Sequence, residues 1–168
     1  MRTLLSIAFL SISFMIFAQT ELISIKFSPS FTKSAQFKIS KADDGYIMSL
    51  NGDLVNETVL IRELSLSKIK NFMPEYLIVK QQEDSVERVK QLEDEKNGIH
   101  GVNLDGITVE GAYRDKGSNQ IFKFWSPNKE SVNFKLMIRL FDLMNGSFVK
   151  PETAKYINDL KAYFPKFK

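Results

Sequence analysis

Apolar and polar residues alternate with a period of two in several short runs along the first half of the chain. Residues 21–27 (ELISIKF) place Ile23, Ile25 and Phe27 on one side and Leu22, Ser24 and Lys26 on the other, the pattern of a strand with one face buried. Residues 36–41 (QFKISK) repeat it with Phe37 and Ile39, and residues 46–50 (YIMSL) and 58–62 (TVLIR) add two further runs. Asp43-Asp44-Gly45 and Asn51-Gly52 stand between runs. Both predict turns, because asparagine and glycine tolerate positive φ. These segments together predict an antiparallel meander.

A hairpin is predicted further on. Residues 106–114 (GITVEGAYR) alternate Ile107, Val109 and Tyr113 against Thr108, Glu110 and Ala112, and Asp115-Lys116-Gly117-Ser118 follows as turn material. Closing the loop there sets Arg114 opposite Asn119, Gly111 opposite Phe122, Glu110 opposite Lys123 and Val109 opposite Phe124. Apolar then meets apolar and acid meets base, whereas a slip of one residue would set Glu110 against Phe124. Phe122 and Phe124 are thereby expected to face the core, and Ile121, Lys123 and Trp125 the opposite side.

Elsewhere the spacing is helical. Leu66, Ile69, Phe72 and Met73 share one helical face, with Ser65 or Ser67 as candidate caps. Pro74 would cost about 3 kcal/mol inside a helix, so either the helix stops near Met73 and residues 75–80 (EYLIVK) form a strand, which is the preferred reading, or it kinks and continues. Residues 83–97 predict an exposed helix or charged connector whose apolar stripe is only Val86, Val89 and Leu92. In residues 129–144 (KESVNFKLMIRLFDLM) the polar residues Ser131, Lys135, Arg139 and Asp142 form one narrow stripe, which predicts a helix buried on several sides. Ser126-Pro127 or Asn128 would start it and Asn145-Gly146 would end it. Pro151 opens a last helix with Ala154, Ile157, Leu160 and Phe164 inward, ending before Pro165. The fold class is α+β, with an antiparallel sheet of about five to seven strands packed against two or three helices.

The N-terminus carries a different signal. Met1-Arg2-Thr3 is a short basic start, residues 4–17 are apolar except for serines, and Ala18-Gln19 follows. Basic, apolar and small residues in that order predict a secretory signal peptide over residues 1–18, since about 14 apolar residues fall short of the roughly 20 a spanning helix needs. A single mature domain over residues 19–168, with no transmembrane anchor, is expected in the periplasm or outside the cell. The leader, ending Phe17-Ala18-Gln19, resembles in export style those of small exported proteins of Gram-negative Bacteroidota; the resemblance implies no particular activity.

The chain has no cysteine. Disulfides, thiol nucleophiles, iron–sulfur clusters and cysteine-type zinc sites are thereby excluded, as is a lipid anchor on cysteine. Its 23 basic and 20 acidic side chains nearly balance, which supplies no field for nucleic acid or anionic lipid. Charge is unevenly spread, with acids in excess over residues 80–96 and lysines in excess over residues 150–168, both patterns of solvated faces.

Catalytic motifs do not assemble. Ser-x-x-Lys recurs at Ser30/Lys33, Ser65/Lys68, Ser67/Lys70, Ser126/Lys129 and Ser147/Lys150, without the Ser-Asp-Asn and Lys-Thr-Gly partners that acylating enzymes require. Such repetition in a chain rich in both residues marks coincidence. His100 is the sole histidine and reads as a turn residue. Asp43-Asp44-Gly45 and residues 103–106 (NLDG) lack the spaced ligands of a calcium loop, and no cofactor is expected. The function expected is that of an exported, non-catalytic binding protein, such as an inhibitor or immunity-type factor, whose partner is another exported or envelope protein. Trp125, Lys123 and Arg114 are its candidate binding residues. A small-molecule or lipid site is the alternative, motivated by 14 phenylalanines and by the aromatic lining of many pockets. A hydrolase built on His100 or on a pair of carboxylates stands third.

Overall fold

The computed structural model describes residues 21–97, 105–115 and 117–164. The expectations for the leader, His100, Lys116 and Pro165 lie outside these residues. Six strands form one sheet, namely β1 (Glu21–Pro29), β2 (Ala35–Ala42), β3 (Gly45–Gly52), β4 (Val55–Ile61), β5 (Ile107–Asp115) and β6 (Ser118–Trp125). Three helices complete the fold among the described residues, α1 (Glu63–Lys96), α2 (Val132–Ser147) and α3 (Pro151–Lys161). The sheet order is β4-β3-β2-β1-β5-β6 and every neighbouring pair is antiparallel.

The alternation sorts the sheet into two unlike faces. Ile23, Ile25, Phe27, Phe37, Ile39, Met48, Leu50, Ile107 and Val109 are buried on the helix-covered face. The other face carries Ser24, Lys26, Gln36, Lys38, Ser49, Thr58, Glu110 and Lys123, none of them buried. Such a division is usual when helices lie on one side of an antiparallel sheet. The hairpin of β5 and β6 has the predicted register, with Arg114 opposite Asn119, Gly111 opposite Phe122, Glu110 opposite Lys123 and Val109 opposite Phe124. Gly117 supplies the positive φ that its turn needs.

Two turns were read from the same kind of signal, and only one is placed as expected. The β2–β3 turn sits at Asp43-Asp44, and Gly45 takes a positive φ. Asn51 and Gly52, by contrast, stay in β3, opposite Asn56 and Val55, and the turn falls at Asp53-Leu54. Gly52 is needed for closeness, since a Cβ there would lie 2.6 Å from the Ser34 carbonyl oxygen.

Of the two courses open at Pro74 the structure takes the less favoured one, since α1 continues through the proline to Lys96. Residues 75–80 are therefore helix, not strand. The proline forfeits one backbone hydrogen bond, but Leu66, Ile69, Phe72, Met73, Tyr76 and Lys80 form one continuous buried stripe across it. Burying Tyr76 and the Lys80 stem beyond the proline offsets a cost of about 3 kcal/mol, since one large side chain contributes about 1.5–3 kcal/mol. Neither Ser65 nor Ser67 caps this helix; Arg62 occupies the cap position without a side-chain bond. From Gln81 onward almost every side chain is exposed, Val86, Val89 and Leu92 included.

α2 is the buried helix expected, shifted by about one turn. Ser131 caps it by accepting the Phe134 N–H at 3.2 Å, and Gly146 lies inside it, not beyond its end. On α3 the inner face is Thr153, Tyr156, Ile157 and Leu160, while Ala154 is exposed.

A buried carboxylate on β4 fastens the connection between α2 and α3. Glu57 accepts the Val149 N–H at 2.8 Å and the Lys150 N–H at 3.2 Å, and Lys150 Nζ donates to the Asn56 carbonyl at 2.8 Å. Burial alone would raise the Glu57 pKa; the nearby Thr153 hydroxyl, the two amides and the Lys150 ammonium outweigh it and hold the pKa below the ordinary carboxylate value. A group depressed in this way adds stability above its unfolded pKa of about 4.3, and that stability is lost as pH falls through the folded value. Glu57→Gln is expected to cost about 1–3 kcal/mol at neutral pH. Urea unfolding should show the gap between the two proteins narrowing as the pH is lowered below about 4.

Candidate functional site

The three candidate binding residues all lie on the uncovered face of the β5–β6 hairpin, but they do not converge. Trp125 pairs with Thr108 at one end of the hairpin and Arg114 with Asn119 at the other, a separation of about 20 Å at roughly 3.3 Å per residue. Trp125 is only 38% exposed. Its ring covers Gly106, where a Cβ would meet the indole at 2.5 Å. Close by, Ser126 Oγ accepts the Ile107 N–H at 2.9 Å, and Ser30 Oγ donates to the Gly106 carbonyl at 2.9 Å. The indole therefore packs onto the start of β5.

Lys123 and Arg114 are held in ion pairs. Lys123 Nζ lies 2.7 Å from Glu110 Oε1, and this neighbour draws the Glu110 pKa below its ordinary value. Arg114 Nε donates to Asn119 Oδ1 at 3.2 Å, and its Nη1 lies 3.5 Å from Glu21 Oε1. Exposed pairs like these contribute little stability.

Between those ends stands Ile121, 78% exposed. It projects from a strand that has no neighbour on its outer side among the described residues. Beside it a cleft of about 690 Å³ opens between β6 and α1, with Gln120, Ile121, Phe122 and Lys123 on one wall and Leu77, Ile78, Gln81, Asp84, Ser85 and Arg88 among the residues of the other. Ile78 is 62% exposed there. Ile121 and Lys123 also border a shallower depression of about 370 Å³ that continues onto the uncovered face through Ser24, Gln36 and Ala112. Each strand-side residue follows from the alternation and each helix-side residue from the path of α1 past Pro74.

The cleft rests on a fixed base. The Phe122 ring lies edge-on to Tyr76 at 5.4 Å between centroids, and the absence of a side chain at Gly111 makes room for it. Tyr76 Oη meets Asn133 Oδ1 at 3.1 Å. Burial, reinforced by the charges of Asp84 and Glu83, pushes the Tyr76 phenol well above its ordinary pKa and keeps it neutral. Glu83 accepts the Val132 N–H at 2.9 Å, tying the wall to the start of α2. Lys80 forms an ion pair with Asp84 at the cleft mouth.

Sequence reasoning picked out Lys123 but passed over Ile121, although it placed both on the same face. The helix-side wall was hidden by the expected strand over residues 75–80. Among the described residues no group of three or more histidine, cysteine or acidic side chains is placed to hold a metal ion, and no helix is long and apolar enough to cross a membrane.

The seating of Phe122 gives a direct test. Gly111→Ala would drive a methyl group into the ring and is expected to destabilise the protein by about 1–3 kcal/mol, the usual cost of overpacking, as read from denaturant unfolding. No protein-family model, curated protein or solved structure matches this chain.

Proposed function

We propose that the protein is a non-catalytic interaction protein acting outside the cytoplasm, and that it engages another exported or envelope protein through the cleft between β6 and α1. One observation carries this reading: the β6 edge is open and lies beside a cleft that carries an exposed isoleucine on each wall. At β4 the Lys150 ammonium and the buried Glu57 fasten the chain against the strand. At β6 the whole run Ser118–Trp125 has β5 alone as a strand neighbour among the described residues, and it carries a single lysine and no proline. Open edges that are long and lightly guarded serve as protein-binding sites or become liabilities.

Export is supported by the order of basic, apolar and small residues at the N-terminus. A small apolar ligand has weaker support, because Phe27, Phe37, Phe72, Phe122, Phe124, Phe134, Phe141, Phe148 and Phe164 are all buried core residues. Among the described phenylalanines only Phe31 is exposed. The aromatic richness that suggested a pocket is explained by a core built without disulfides.

A photo-reactive amino acid at Ile121, introduced into the full chain and activated in the exporting cell, tests the reading. The expected outcome is one crosslinked partner protein from position 121 and none from the equally exposed Val149. Equal crosslinking from both positions, or none from 121, would count against it.

A further inference from the structure

Resting on the reading of the β6–α1 cleft as a protein-binding site, we infer that its occupant is an extended segment of the partner, added as a seventh strand along β6 and carrying acidic side chains around an apolar one. The backbone argument comes first. Strand β6 is terminal in the sheet order, and no hydrogen bond to its outer backbone is found among the described residues. An extended chain laid there would satisfy those groups, and α1 would form the wall beneath it, an arrangement in which backbone bonds give affinity and flanking pockets read alternate side chains.

The side-chain chemistry comes from the walls. Ile121 and Ile78, one from each wall, are the exposed apolar contacts. Around them lie three cations, Lys80, Arg88 and Lys123, and one acid, Asp84. Lys80 is held by Asp84 and Lys123 by Glu110, whereas Arg88 makes no ion pair among the described residues. A guanidinium left open on the wall of a cleft is matched to a carboxylate, which it can grip with two parallel N–H donors. Pairing of β6 with β6 of a second copy offers the wrong chemistry for the site, since β6 (SNQIFKFW) has a lysine and no acid.

The probes are two ten-residue peptides of alternating valine and charged residues, one with glutamates and one with lysines, titrated into isotope-labelled residues 19–168 and followed by amide NMR. The glutamate peptide should bind with shifts centred on β6 and on α1 near Arg88, about tenfold more tightly than the lysine peptide. Arg88→Glu, a change at an exposed position, should abolish or reverse that preference. Two further versions of the glutamate peptide carry N-methyl groups along one edge or along the other; strand addition requires that one of them lose binding and the other keep it. If both methylated versions bind alike, strand addition is wrong while the cleft remains a binding site. Failure of the glutamate peptide to bind at millimolar concentration, or equal binding of both charge types, overturns the inference, whereas the crosslink from Ile121 reports separately on whether the cleft binds protein at all.

Discussion

Phe122 is held between a glycine and a tyrosine, and the cleft between β6 and α1 depends on that seat. Its ring occupies the space left by Gly111 on β5 and meets Tyr76 of α1 edge-on. This contact links the last strand of the sheet to the longest helix. Aromatic pairs of this geometry contribute about 0.5–1.5 kcal/mol beyond their buried area. Here the pair also fixes where α1 passes the sheet edge, and therefore the width of the cleft above it. Without disulfides, side-chain packing must supply both the stability of the fold and the rigidity of the site.

The same packing explains the contrast between the two edges. At β4 the chain returning from α2 is secured by a buried carboxylate, which gives that connection a pH-dependent fastening. At β6 nothing comparable is found among the described residues, and the helix beyond it stays far enough away to leave a groove. Past Lys80, α1 carries no buried residue and extends for about 24 Å, at 1.5 Å per residue, as a largely acidic arm.

The fold was legible where burial has a simple period. Ile23, Ile25 and Phe27, or Phe37 and Ile39, declare a strand and its inner face, and the pairing of Glu110 with Lys123 fixed a register that a one-residue slip would have spoiled. Legibility failed where one residue type serves two ends. Gly52 looked like a turn glycine but is required by the approach of the Ser34 carbonyl, a contact between strands that no local rule reveals. Pro74 looked like a helix stop because its local cost is known, while the compensation lies in the burial of Tyr76 and the Lys80 stem against the rest of the molecule. A hint was present, since Ile69, Phe72, Met73, Tyr76 and Lys80 keep helical spacing across the proline. The site suffered most from this, because half of the cleft is built from the segment beyond Pro74. Trp125 drew attention as the only tryptophan, yet its indole is spent on covering Gly106, and the exposed Ile121 beside it carries the surface.

Residue-resolved hydrogen exchange of residues 19–168, alone in solution, addresses the open edge most directly. Amides in β1 and β2, paired on both sides, should be protected throughout, while alternate amides of β6, those pointing away from β5, should exchange rapidly under native conditions. Uniform protection along β6, equal to that of the central strands, would mean that this edge is already covered in the free protein and would contradict its proposed role as a docking strand.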